Sequence, residues 1–295
     1  MKIIAISTAA VILMLAFWVI TFAKTPEFSS VENYQASLER GEYIFNASGC
    51  ASCHSSPDSA QAEKLVLTGG RSFPSPFGTF YAPNISMDKV YGIGTWSEKD
   101  FANAVRHGVS PDGKHYYPSF PYTAYVNMAD QDIADLWAYF KSIPESSKPS
   151  IDHDLPMYVR WRRPIAFWKL LNKRKPITEL VSSDPTVQRG AYLVETLGHC
   201  GECHTSRNFI GGLQYEYWLG GAKNPAGRGM IPNITPTKLT WDTEEIVEYL
   251  ASGFTPDFDV AGGHMADVVE NTSKLTEEDR LAIAEYLKAI PGVQK

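Results

Sequence analysis

Hydrophobic and polar positions along this 295-residue chain fall into three patterns. The first is an unbroken run. Ile3 to Ala23 holds only apolar or small side chains, 21 residues between Lys2 and Lys24. About 20 such residues cross the core of a bilayer, and the run exceeds the roughly 7–15 apolar residues of a cleaved signal. A retained N-terminal membrane helix is the expectation and a cleaved signal peptide the alternative; both export the rest of the chain.

The second pattern is helical. From Asp130 to Ser142 the apolar residues Ile133, Leu136, Trp137 and Phe140 recur at spacings that bury one helix face. Trp137 and Tyr139 read as core packing. Ser97 three residues before Asp100 is a capping-box variant that opens a helix through His107. Further helices are expected over Ser37–Ser48, Thr243–Ser252 and Thr276–Ala289, with a long Gly- and Pro-rich loop from Leu67 to Gly94. The first and last helices of each set should cross.

The third pattern is a basic and aromatic stretch from Pro156 to Pro176. Arg160, Arg162, Arg163, Lys169, Lys173, Arg174 and Lys175 stand there among Trp161, Phe167, Trp168, Leu170 and Leu171, without one acid. Three readings stay open: a segment lying on anionic lipid, a docking surface for a partner subunit, or a linker packed on its neighbours with its charged heads in water.

These patterns recur at an offset near 150 residues. Arg40-Gly41-Glu42-Tyr43 returns as Arg189-Gly190-Ala191-Tyr192, and Gly69-Gly70 as Gly220-Gly221. Pro83-Asn84-Ile85 returns as Pro232-Asn233-Ile234, Thr95-Trp96 as Thr240-Trp241, and Ser110-Pro111-Asp112 as Thr255-Pro256-Asp257. Both sets close on Ile-Pro, at Ile143-Pro144 and Ile290-Pro291. The expected organisation is an anchor or signal over 1–28, one domain over 29–147, a linker over 148–182 and a duplicate domain over 183–295. Apolar content of 44% suits two globular cores, and a net charge of −6 argues against a nucleic-acid partner.

The four cysteines are Cys50, Cys53, Cys200 and Cys203, and a histidine directly follows each pair: Cys50-Ala51-Ser52-Cys53-His54 and Cys200-Gly201-Glu202-Cys203-His204. Disulfides, a zinc site or a redox dithiol would explain the pairs alone. C-x-x-C-H is the attachment signal of c-type haem, so two covalently bound haems are expected. Cys50 and Cys53 would hold one and Cys200 and Cys203 the other, with His54 and His204 as iron ligands. A methionine sixth ligand would raise the potential and leave no open position. Met265 stands at a suitable place for the second haem. In the first set the aligned residue is Phe120, which cannot bind iron. Met128 is then the expected ligand, with His115 or an open site as competitors. The Pro83 and Pro232 segments suit the role of accepting a hydrogen bond from each ligating histidine. Arg71, Trp96, Trp241 and the Tyr116-Tyr117 pair could meet haem propionates or simply pack.

Over roughly residues 38–292 the chain resembles the c-type cytochrome subunits of periplasmic alcohol, aldehyde and gluconate dehydrogenases. The resemblance rests on Arg40-Gly41-x-Tyr43, both haem motifs, Ala82-Pro83-Asn84-Ile85-Ser86, Gly92-Ile93-Gly94-Thr95-Trp96, residues Gly108 to Tyr122, and Gly262-Gly263-His264-Met265-Ala266. Members of the alcohol dehydrogenase type have three haem domains, against two here, and some have methionine where Phe120 stands. The resemblance implies a mainly α fold, a tandem duplication of a class I cytochrome c-type domain preceded by one transmembrane helix. It also implies an electron-transfer subunit on the periplasmic face of the inner membrane, without catalytic activity of its own. Its partners would be a dehydrogenase and a respiratory acceptor: an oxidase, a soluble cytochrome or quinone. The alternatives are a dihaem enzyme, such as a peroxidase or thiosulfate dehydrogenase, and a cytochrome subunit attached to a terminal oxidase.

Overall fold

The computed structural model describes residues 14–23, 26, 28, 34–57, 64–173, 182–225, 227 and 229–294. Residues 1–13 of the N-terminal apolar run, and 174–181 at the end of the basic stretch, lie outside the described residues. Residues 14–20 are helical. Among the described residues no helix is long and apolar enough to cross a membrane.

Helix α1 (Leu38–Ala47) starts where the Ser37 side chain accepts a bond from the Arg40 backbone N–H. The short α2 (Cys50–His54) carries the first haem motif. The stretch expected as one loop from Leu67 to Gly94 contains a hairpin, β1 (Ser72–Ser75) and β2 (Gly78–Tyr81), which pair antiparallel with Phe73 opposite Phe80. Pro74 and Pro76 mask it in the sequence, because proline marks a strand only at an edge or turn. Helix α3 (Glu98–His107) has the full Ser97/Asp100 capping box and stops at Gly108, whose φ of 57° suits glycine. Then come α4 (Tyr122–Tyr125) and α5 (Asp130–Phe140). The basic stretch forms two short helices, α6 (Met157–Arg160) and α7 (Ile165–Leu171).

The second half begins with α8 (Pro185–Ala191), capped by Asp184. It runs into a π-helical segment, Tyr192–Leu197, where Gly198 N–H reaches back five residues to Leu193 O. The cause is visible in the chain. Ten residues separate Arg40 from Cys50, and eleven separate Arg189 from Cys200. A π turn absorbs one extra residue without breaking the helix. Helix α9 (Gly201–His204) carries the second haem motif, followed by strands β3 (Ala222–Lys223) and β4 (Met230–Ile231). Helix α10 (Thr243–Ser252) has an Asp242/Glu245 capping box and ends at Gly253. Helices α11 (His264–Thr272) and α12 (Glu277–Ala289) complete the chain.

Helix α1 packs on α5, and α8 on α12, as the crossing expectation required. Both crossings depend on glycine. A Cβ on Gly41 would lie 2.2 Å from Asp135 O, and one on Gly190 would lie 1.8 Å from Ala282 O. One apolar core runs through both halves, from Phe45, Phe101 and Trp137 to Leu193, Tyr286 and Leu287. Trp137 and Tyr139 are buried in it. A smaller cluster of Phe80, Tyr117 and Leu155 joins the hairpin to the start of the basic stretch.

Candidate functional site

Each C-x-x-C-H motif is a single helical turn, so its two cysteines and its histidine are presented together by local geometry alone. After each turn the chain reverses onto the histidine's own carbonyl: Gly69 N–H bonds to His54 O at 2.6 Å, and Gly221 N–H bonds to His204 O at 2.7 Å. Both glycines have positive φ. A Cβ on Gly69 would lie 2.3 Å from Ala82 O, so the approach requires glycine. The structural counterpart of Gly69 is therefore Gly221, one residue beyond the sequence alignment.

That close approach brings in the proline segments. His54 Nδ1 lies 2.9 Å from Pro83 O, and His204 Nδ1 lies 2.8 Å from Pro232 O. A ring N–H donated at Nδ1 leaves Nε2 as the free lone pair on each histidine, the arrangement a metal-ligating imidazole needs. Burial lowers both histidine pKa values, keeping the rings neutral and able to ligate.

No disulfide joins any two of the four cysteines. Burial pushes Cys50 and Cys200 up to about 12, so neither is a ready thiolate nucleophile. Among the described residues no group of three or more His, Cys, Asp or Glu side chains could hold a metal ion between them. Two buried hydroxyls lack a protein partner: Ser48 Oγ, two residues before Cys50, and Tyr122 Oη. Two cysteines and a histidine with Nε2 free, presented by one helical turn, fit a bound haem.

The expected sixth ligands have unlike surroundings. Met265 lies in the first turn of α11, half-buried at the edge of the core. Met128 is 3% exposed inside the core, and its carbonyl accepts a bond from Arg106. Its backbone N–H bonds to Tyr125 O just before α5; Leu275, 5% exposed, makes the same bond to Thr272 O just before α12. Phe120 packs with Tyr116, Tyr122 and Tyr125, at ring distances of 5.9–6.4 Å. His115 is engaged at both nitrogens, with Nε2 3.3 Å from Thr21 O and Nδ1 3.2 Å from Lys169 Nζ.

Each motif is contacted by the other half of the chain, which their sequence separation hides. Thr123 donates to Glu202 of the second motif at 3.1 Å, and Asn271 donates to Ser52 Oγ of the first at 2.7 Å. Cys203 is near enough to add to the burial that raises Cys53 to about 11. Tyr43 donates to Asp279 and Tyr192 donates to Asp132, both at 2.5 Å, each bond joining one half to the other. The same two hydroxyls accept the backbone N–H of Thr276 and of Ala129. Arg71, a candidate for propionates, instead bridges Ser52 O and Asp267 of α11, the latter at 2.7 Å.

The two aspartates of these bonds ionise differently. Burial opposes ionisation of Asp279, but hydrogen bonds from Arg189 and Tyr43 and the guanidinium charge outweigh it, and its pKa falls. Burial dominates at Asp132 and its pKa rises, despite the Tyr192 bond. The difference follows from the arginines: Arg189 bonds Asp279, whereas Arg40 bonds Asp135.

Comparison with known proteins agrees with this reading. Residues 38–144 match the cytochrome c family. A diheme cytochrome c-type protein of Cereibacter sphaeroides is 53% identical over 257 residues, covering 86% of each chain. The fructose dehydrogenase cytochrome subunit of Gluconobacter japonicus is 34% identical over 278 residues, 92% of this chain and 56% of that subunit. The gluconate 2-dehydrogenase cytochrome c subunit of Pantoea cypripedii is 34% identical over 283 residues, 90% of this chain and 63% of that subunit. The chain thus spans about three-fifths of the length of these dehydrogenase subunits. With two motif turns whose histidines keep Nε2 free, and a relative so similar over most of both lengths, the chain belongs to the dihaem c-type cytochromes and carries two covalently bound haem c groups.

Proposed function

We propose that this chain is a membrane-anchored periplasmic cytochrome that passes electrons from a dehydrogenase to the respiratory chain. The observation that carries the reading is that each motif turn is held by the other half, Glu202 by Thr123 and Ser52 by Asn271. A protein that merely stored two haems would have no need to seat each attachment turn on the other half. Names among the relatives support a dehydrogenase as donor, since several are cytochrome subunits of fructose, alcohol and gluconate dehydrogenases. The Ile3–Ala23 run supports the anchor.

In this proposal the chain is a tandem duplication of a class I cytochrome c-type domain, over 29–147 and 183–295, with 148–182 as the linker. The paired α1–α5 and α8–α12 crossings and the matching histidine–proline bonds support it. Cys50, Cys53 and His54 hold one haem; Cys200, Cys203, His204 and Met265 hold the other. Haem iron supplies one-electron exchange at each site. Met128 was the sequence's candidate for the sixth ligand of the first haem. Its enclosure in the core, and its correspondence to Leu275, support a packing role instead.

Purification from membranes tests the proposal. The cytochrome should co-purify with a dehydrogenase, and both haems should be reduced when that enzyme's substrate is added. Turnover of peroxide by the isolated cytochrome, with no reduction by any co-purifying enzyme, would contradict it.

A further inference from the structure

A second feature of the molecule is untouched by the haem chemistry. Residues 14–20, α6 and α7 lie together on the outside. The Phe17 ring meets Trp161 at 5.5 Å and Phe167 at 5.9 Å in tilted contacts. The Arg163 guanidinium sits 3.5 Å above the Trp18 ring and donates to Thr21 Oγ1. These contacts join three elements into one face, and its apolar side chains turn outward: Met157 is 84% exposed, Leu171 76% and Val19 69%. Trp161 and Leu170 are exposed beside them. An apolar patch of this kind, rimmed by charge, marks an interaction site.

The charge identifies the occupant. Between Pro156 and Lys173 there are four basic residues besides the inward-turned Lys169 and no acid, in a chain of net charge −6. Aromatic tips, aliphatic side chains and arginines on short helices are the composition of a segment seated at the boundary between headgroups and acyl chains. The face is also continuous with the apolar run that enters the membrane in the proposed function. We propose that it is a foot resting in the headgroup region of an anionic bilayer, an inference that rests on the anchored reading.

The foot is fixed rigidly to the cytochrome body. Lys169 turns inward, and its Nζ donates to His107 O at 2.6 Å and Gly108 O at 2.9 Å, at the carbonyl end of α3. Tyr117 donates to Val159 O at 3.1 Å. On the other side Trp168 Nε1 donates to Ile210 O at 2.7 Å, beside Phe209, which is 93% exposed. A seated foot holds the cytochrome in one orientation on the bilayer and prevents it from tumbling on a tether.

Site-directed spin labelling of the full holoprotein in vesicles tests this. The four native cysteines are taken up in haem attachment, so a nitroxide on Leu171→Cys is unique; Glu244→Cys, on exposed α10, is the reference. An unchanged ferrous absorption spectrum verifies folding of both variants. In vesicles of phosphatidylglycerol and phosphatidylcholine, the label at 171 should collide with oxygen more than with a water-soluble nickel chelate, and the label at 244 should do the reverse. The preference at 171 should weaken in phosphatidylcholine alone. Flotation with vesicles while 171 stays open to the chelate would overturn the foot and leave the anchor standing. Failure to float would overturn both. Shielding of 171 from both reagents only after a dehydrogenase is added would make the face a protein interface and overturn the bilayer.

Discussion

The two haem sites share their attachment turns and differ on the other side of the expected iron. In the second half Met265 opens α11 at the edge of the core. In the first half Phe120 takes that place among aromatic rings, and the nearby methionine is enclosed in the core where the second half has leucine. The comparison teaches that a ligand assignment needs more than a suitable residue type nearby. Met128 has the right thioether in surroundings built for packing. The halves also differ at their joint, because one arginine serves its cross-half aspartate and the other does not.

The largest effect expected from breaking the comparison is at the helix crossings. Gly190→Ala places a methyl 1.8 Å from the Ala282 carbonyl oxygen, and Gly41→Ala places one 2.2 Å from that of Asp135. Each should cost ~3 kcal/mol or more in a denaturant titration, Gly190→Ala the more.

The cross-half aspartates come next. At pH 7 Asp279→Asn loses its ionic partner Arg189 and should cost on the order of 2 kcal/mol; Asp132→Asn should cost less or stabilise. The pKa of Asp279 is lowered on folding, so its contribution is full above its unfolded value near 4 and is lost as pH falls through the folded value. Asp132 is raised, so its ionisation opposes folding at neutral pH, and that cost disappears on acidification. The difference between the two variants should shrink in denaturation curves measured from pH 7 toward pH 3.

A smaller effect is expected at Arg71. Arg71→Gln removes the bridge from Ser52 O to Asp267 and should cost ~1 kcal/mol or less, because the pair is partly solvated. It should loosen α11, and hence Met265, and it also removes the bond to Ser52 O in the first attachment turn. The check is the temperature at which the methionine–iron charge-transfer band fades, which should fall.

Much of this comparison was legible in the chain. The attachment residues, the Ser97/Asp100 cap and the prolines beneath the histidines are local signals, because their partners are set by short spacing or by the repeat. The π turn was also there to be read, in the extra residue between Arg189 and Cys200. The hairpin at Ser72–Tyr81 was hidden by its prolines. The joint between the halves left no signal, since Tyr43 and Asp279 stand 236 residues apart and neither residue type marks a contact. The proposed packing role of Met128 likewise rests on its surroundings in the fold, which no local sequence signal marks.

A spectroelectrochemical titration of the holoprotein, alongside Met265→Ala and Met128→Leu, tests the inequality of the two sites most directly. Met128→Leu reproduces the Leu275 packing while removing the thioether. Two reduction steps should be seen in the unaltered protein. Met265→Ala should lower one step and abolish the methionine–iron band, while Met128→Leu leaves both steps and the band in place. A step that shifts in Met128→Leu would contradict the account, because Met128 would then be an iron ligand and the two sites alike.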